Sequence, residues 1–134
     1  MLSKRSLMNL EGVHPDLVKV VQLAAQKCES ESFDFCLTDG CRTMEEQIEF
    51  VKTGKSKTLK SRHLGGYAVD YVGLVRGRAT YDRDVMRAIA EVFKDAALEL
   101  DIEIEWGGDW TSFVDMPHIQ LTHARYPDDS ISSA

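Results

Sequence analysis

The sequence is short of the features that staple a small domain, anchor it in a membrane or hold it on nucleic acid. It has three cysteines, Cys28, Cys36 and Cys41, an odd number with no Cys-x-x-Cys spacing. That excludes a disulfide framework and a thiolate metal site. The expectation is three reduced, partly buried small apolar side chains. No apolar run approaches the roughly 20 residues of a membrane-spanning helix. The N-terminal stretch MLSKRSLMNLEGVHPD has basic residues but no apolar core of a leader peptide. Synthesis in a cytoplasm without a signal peptide is therefore expected. Positive charge is also scarce: 16 Lys and Arg against 22 Asp and Glu leave a net charge of -6. A nucleic-acid binder needs a basic face to displace counterions, and an anionic membrane surface attracts basic segments. Neither partner is expected.

What is present suits one folded unit. A chain of 134 residues is one domain's worth, long enough to bury a core without covalent staples. The reading is a single domain over 1–134, with residues 1–13 as a loop or short arm and about 127–134 as a flexible tail. Pro15 fits the first position of a helix, and Leu17, Val21, Ala24 and Cys28 recur on one face of it. Phe33, Phe35 and Leu37 alternate with polar positions as in a strand. Thr43 and Glu46 form a capping box, which predicts a helix over Met44–Lys52 with Met44, Ile48 and Val51 as its apolar face. Lys55–Arg62 reads as an exposed basic loop.

Tyr67, Val69 and Tyr71 predict a second strand, followed by a turn bracketed by Gly73 and Gly77. A long helix follows from Asp82 to about Leu100, with an apolar stripe of Val85, Ile89, Val92, Phe93, Ala96 and Leu100. Ile102, Ile104 and Trp106 predict a strand whose Glu103 and Glu105 face is solvated. Ile119 and Leu121 lie in a short last strand with His118. Helices mixed with locally pairing strands imply an α+β domain, helices packed on one antiparallel sheet.

The four histidines can be weighed singly. His14 stands before Pro15 as a surface or capping residue, and His123 lies in a polar segment and is expected to be exposed. His63 and Asp70 flank a Gly65-Gly66 turn that can fold the imidazole back toward the carboxylate, and His118 arrives from another strand. Two imidazoles and a carboxylate suit zinc with one position left for water. From spacing alone, however, His-x6-Asp is no metal signature, and a chance pair is the commoner explanation.

Three motifs change that. Ser61-Arg62-His63-Leu64-Gly65-Gly66-Tyr67-Ala68-Val69-Asp70 fits Ser-x-His-x-x-Gly-x-Ala-x-Asp at every fixed position. Asp115-Met116-Pro117-His118-Ile119-Gln120 places an acid three residues before the last histidine. Asp39-Gly40-Cys41-Arg42-Thr43 precedes a helix containing Gln47. In this order they resemble the zinc peptidases that include D-alanyl-D-alanine carboxypeptidases, D-alanyl-D-alanine dipeptidases and phage L-alanyl-D-glutamate endolysins.

The resemblance implies that His63, Asp70 and His118 bind Zn²⁺, that Asp115 is the general base, and that Arg42 pairs with a substrate carboxylate or a developing oxyanion. Asp115 in place of the Glu of many carboxypeptidases resembles the endolysin branch, which cuts between L-Ala and D-Glu of peptidoglycan stem peptides. The alternatives are a D-alanyl-D-alanine carboxypeptidase on the same scaffold, or a non-catalytic zinc-containing binding module. The resemblance also implies a monomer that acts on the cell wall in the periplasm after release by a membrane-permeabilising, holin-type partner.

Each residue keeps a plainer reading beside this one. Asp115 could be an exposed loop acid. Arg42 could pair with Glu45 or Glu46. Ser61 could be a turn residue that hydrogen-bonds backbone, or it could touch substrate. Trp106 and Trp110 could wall a groove, although an alternating strand equally places Trp106 in the core.

Overall fold

A computed structural model describes residues 2–56 and 61–127. Lys57–Lys60 of the basic loop and most of the C-terminal tail lie outside the described residues. Helix α1 spans Lys4–Asn9 and α2 Pro15–Cys28; strand β1 (Asp34–Asp39) leads to α3 (Met44–Lys52). After a short 3-10 turn at Arg62–Gly65 come β2 (Ala68–Val75), β3 (Arg78–Thr80), α4 (Arg83–Glu99), β4 (Ile104–Trp106) and β5 (His118–Leu121). The strands form one antiparallel sheet in the order β1-β2-β5-β4, with β3 paired to β2. The α+β class expected from the sequence is the class observed.

Strand periodicity divides the sheet into two faces with different tasks. Phe35 and Leu37 of β1, Val69 and Tyr71 of β2, Trp106 of β4, and Ile119 and Leu121 of β5 are all buried in one apolar cluster. Against them pack Leu17, Val20, Val21 and Ala24 of α2 and Met86, Ile89, Phe93 and Ala96 of α4. Each large side chain buried this way contributes about 1.5–3 kcal/mol. The Tyr71 hydroxyl donates to the Met86 carbonyl at 2.7 Å, which stitches the sheet to α4. The alternate positions Asp70, Glu105, His118 and Gln120 fall on the opposite face.

The helix ends follow local chemistry. Asp82 accepts from the Val85 N–H at the start of α4, and Thr43 and Glu46 close the expected capping box on α3. The last turn of β2 differs from the sequence reading. Gly73 lies within β2, paired with Phe35 and Thr80. The reversal is made by Arg76 and Gly77, at φ 53° and 76°. Two consecutive residues in that region match the twist of a tight hairpin, which is why the strand runs on past the first glycine.

Two further expectations fail. The segment read as a loop or arm contains α1, which starts at Ser3, whose hydroxyl accepts from the Ser6 N–H. The polar Ser6 is then fully buried and caps β1 by accepting from the Leu37 N–H at 2.9 Å. In α3, Met44 and Ile48 are exposed, while Gln47 is the residue with no exposure. The helix turns a polar side chain inward because it packs beside the site and not on the main core. Cys28 is buried and Cys36 half-buried, but Cys41 is exposed.

Candidate metal centre and cleft

Asp70 and His118 are direct cross-strand partners on β2 and β5, so their side chains project side by side. His63 reaches them from the 3-10 turn, which Ser61 starts by accepting from the His63 N–H at 3.2 Å. Gly66 ends that turn at φ 75°, and a Cβ there would lie 2.3 Å from the Gly12 carbonyl oxygen. Only glycine fits. The result is a group of three potential ligand atoms within 4.8 Å of one another. Nε2 of His63 and Nδ1 of His118 each lie 3.3 Å from Oδ1 of Asp70. Ligands about 2 Å from a tetrahedral ion stand about 3.3 Å apart, which the two His–Asp pairs match, and two imidazoles with a carboxylate are a donor set that suits zinc.

The outer hydrogen bonds fix which nitrogen each ring offers. His63 Nδ1 lies 2.7 Å from the Gly40 carbonyl, so this nitrogen carries a hydrogen and Nε2 is the atom turned toward Asp70. His118 does the reverse. Its Nε2–H donates to Oε1 of Gln120 at 2.7 Å, leaving Nδ1 free to coordinate. Gln120 in turn donates from Nε2 to Oε1 of Glu105 at 2.5 Å. A chain from carboxylate to amide to imidazole thus stands behind one ligand, an arrangement that orients a metal-binding ring.

Charge inside the group is strongly coupled. Burial alone would raise the Asp70 carboxyl, but hydrogen bonds and charge from His118 and His63 outweigh it and hold it well below the usual carboxylate range. Burial would lower His118, and here the hydrogen bond and charge of Asp70 prevail and raise it. Asp115 is shifted upward, by burial first and by the charge of Asp70 second.

Asp115 is held beside the group by a loop. Its N–H donates to the Gly107 carbonyl at 2.9 Å, and its own carbonyl accepts from the His118 N–H at 3.1 Å. Its Oδ2 lies 3.9 Å from His118 Nδ1. The side chain is half-buried and faces the ligand set, unlike an ordinary exposed loop acid.

Arg42 is nearly buried, at 6% exposure. It pairs with neither Glu45 nor Glu46. Nε and Nη2 donate to Asp39 at 3.0 and 2.5 Å, and Nη1 donates to Gln47 at 2.6 Å. Its guanidinium stacks on Phe50, and Nη2 approaches Oδ2 of Asp70 at 3.9 Å.

These residues line one open cleft of about 800 Å³. Trp110 forms part of its wall, with its ring 5.2 Å from that of His118. Trp106 belongs to the core, its indole N–H donating to the Met116 carbonyl at 2.6 Å. His14 caps α2, and His123 is exposed at the cleft edge. Sequence reasoning missed Gln120 and Glu105. The first lies two positions beyond His118 and so on the same strand face. The second stands opposite Gln120 on the face of β4 read as merely solvated.

The family model for phage L-alanyl-D-glutamate peptidase matches residues 1–123. The chain belongs to this family. Its sheet and helices superpose on the L-Ala D-Glu endopeptidase ChiX of Serratia marcescens with a TM-score of 0.85 and 44% identity, covering 95% of this chain and 93% of that one. The L-alanyl-D-glutamate peptidase of Listeria phage A118 is 32% identical over 126 residues, which are 94% of this chain. The chain spans 44% of that relative's length. A fold-level likeness extends to the D,D-pentapeptidase VanY of a VanB-type vancomycin resistance cassette, solved in complex with Zn(II). It is 18% identical, with a TM-score of 0.57, covering 81% of this chain and 72% of that one.

Proposed function

We propose that this family member is a zinc-dependent peptidoglycan hydrolase that cleaves the L-Ala–D-Glu bond of stem peptides. The observation that carries the reading is the convergence of His63, Asp70 and His118 within 4.8 Å, with Asp115 alongside and open cleft in front. The names of the family and of its full-length relative ChiX support the choice of bond. For the rival on this scaffold, a D-alanyl-D-alanine carboxypeptidase, the likeness to the D,D-pentapeptidase VanY at 18% identity is one of fold alone.

In this reading His63, Asp70 and His118 hold zinc. When bound, the ion would lower the pKa of a water toward about 7. Asp115 takes the proton of the attacking water and passes it to the leaving amine, and its raised pKa brings it closer to neutral, as a base that must also act as an acid requires. Arg42 has five N–H donors, of which Asp39 and Gln47 engage three. The remainder serve a developing oxyanion next to Asp70. Ser61 acts through the turn it caps. A binding module would have no use for Asp115, which argues against the non-catalytic reading.

The site is assembled from one chain, in keeping with a monomer. Action on the cell wall, with a holin-type partner giving access to the periplasm, belongs to the same proposal. Among the described residues no helix is long and apolar enough to cross a membrane. The test is digestion of purified peptidoglycan followed by identification of the new termini. N-terminal glutamate is expected. Release of free D-alanine instead would transfer the chain to the rival activity.

A further inference from the structure

Cleavage at an L-Ala–D-Glu bond, which this inference takes from the reading above, puts a glutamate on the leaving side. One of its two carboxyl groups continues the peptide. The other is free, ionised, and only a few bonds from the scissile nitrogen. It must therefore lie inside the cleft, where Asp70, Glu105 and Asp115 already place negative charge on the wall. A second anion in such a place needs a cation of its own.

Among the described residues, the cleft wall offers three permanent cations: Arg42, Lys55 and Arg62. Arg42 has most of its donors committed to Asp39 and Gln47. Arg62 is nearly buried, stacked on Tyr67 and donating to the Leu121 carbonyl at 2.8 Å. Lys55 has no carboxylate within ion-pair distance among the described residues, and its side chain is exposed to the cleft.

The backbone carrying Lys55 is organised. The N–H groups of Lys55 and Ser56 both donate to the Phe50 carbonyl, at 2.8 and 3.1 Å. The Ser56 hydroxyl accepts from the amide of fully buried Gln47 at 2.9 Å. Gln47 is the same residue that holds Arg42. The ammonium sits 5.6 Å from the centre of the Phe50 ring, whose π-system also contacts Arg42. One buried glutamine thus couples the turn that presents Lys55 to the guanidinium beside the ligand set.

We propose that Lys55 is a specificity residue that binds the free carboxylate of the glutamate on the leaving side of the scissile bond. An ammonium suits this task as a compact point charge on a flexible stem, which can follow a carboxylate without imposing a planar geometry. The contact forms with the ground-state substrate as well as during reaction, so its loss raises KM more than it lowers kcat.

The test uses the zinc-loaded full chain and two muropeptides. One carries the glutamate with its free carboxylate, the other the same residue with that group converted to a carboxamide. The unsubstituted protein is expected to prefer the carboxylate peptide by at least about tenfold in kcat/KM, the scale of one charged contact. Lys55→Met is expected to raise KM for the carboxylate peptide and to bring the two substrates level, and Lys55→Arg to keep most of the preference. Equal KM values for the two peptides in the unsubstituted protein would overturn the assignment, as would an unchanged preference in Lys55→Met. Cleavage of neither peptide at the L-Ala–D-Glu bond would remove the function the assignment rests on, a failure distinct from loss of preference alone.

Discussion

Oε1 of Gln120 stands 2.7 Å from Nε2 of His118, two residues away on the same face of β5. The contact selects the tautomer of His118 that offers Nδ1 to a cation, and Glu105 locks the amide in that orientation. Gln120→Leu removes the acceptor while keeping the size of the side chain. Zinc affinity measured by competition with a chelator is expected to fall by about 10–100-fold, the usual cost of losing an outer partner of a metal ligand. Wild-type affinity in this variant would mean that the chain behind His118 is a structural contact only.

Asp115→Asn keeps the shape of the loop and removes the proposed base. Turnover should fall by about 10²–10⁴-fold, the scale of general acid–base catalysis, with zinc content and KM little changed. Measuring metal stoichiometry and steady-state rates on the same preparation separates the two effects, and a variant that remained fully active would move the base elsewhere.

Gly107 touches no ligand, yet it sets where Asp115 lies. A Cβ at this position would come within 2.2 Å of the Asp115 carbonyl oxygen. Gly107→Ala must push the 107–115 loop outward. A shift of about 1 Å at a catalytic group can cost about 100-fold in rate, so a large loss of kcat with retained zinc binding is expected. An unaltered kcat would show that the loop adjusts without moving the carboxylate.

The metal-free protein should lose stability as pH rises above neutral. His118 is raised in the folded chain: burial opposes the shift, and the Asp70 hydrogen bond and charge overcome it. A group raised on folding stabilises fully below its unfolded value of 6.5 and gives that stability up as pH passes its folded value. Zinc takes the place of the proton and binds the folded form only, so it should remove this alkaline loss. Thermal unfolding between pH 6 and 9, with chelator and with zinc, reads the difference. A metal-free melting temperature that rises across this range would contradict the sign.

Much of the architecture could be read from residue patterns because burial there follows strand and helix periods. Val69 and Tyr71 face the core and Asp70 does not, as the alternation of β2 requires. The capping box on α3 was legible from two residues, Thr43 and Glu46. The apolar stripe of α3 was not, because the neighbour it packs against is a polar cluster around Arg42, and Gln47 satisfies that cluster better than Ile48 could. Helix α1 escaped notice because six residues, fewer than two turns, are too short to show a repeating apolar stripe. For the site, the motifs marked His63, Asp70 and His118, which the fold brings together, and Asp115 beside them; the closing motif ends on Gln120 without giving it a task, and no motif includes Glu105 or Lys55. Those positions matter through cross-strand register and a loop anchored from Gln47, which only three dimensions show.

The two imidazoles turn opposite edges to the Asp70 carboxylate, Nε2 from His63 and Nδ1 from His118. The rings are therefore not interchangeable, although the residue type is the same. A methyl group on Nδ1 of residue 63 would collide with the Gly40 carbonyl 2.7 Å away and drive the buried ring out of place, while leaving its other edge chemically intact. The same methyl on residue 118 would sit on the edge turned to Asp70. One chemical change, moved between two like side chains, would thus act by displacement at one and by blocking a lone pair at the other.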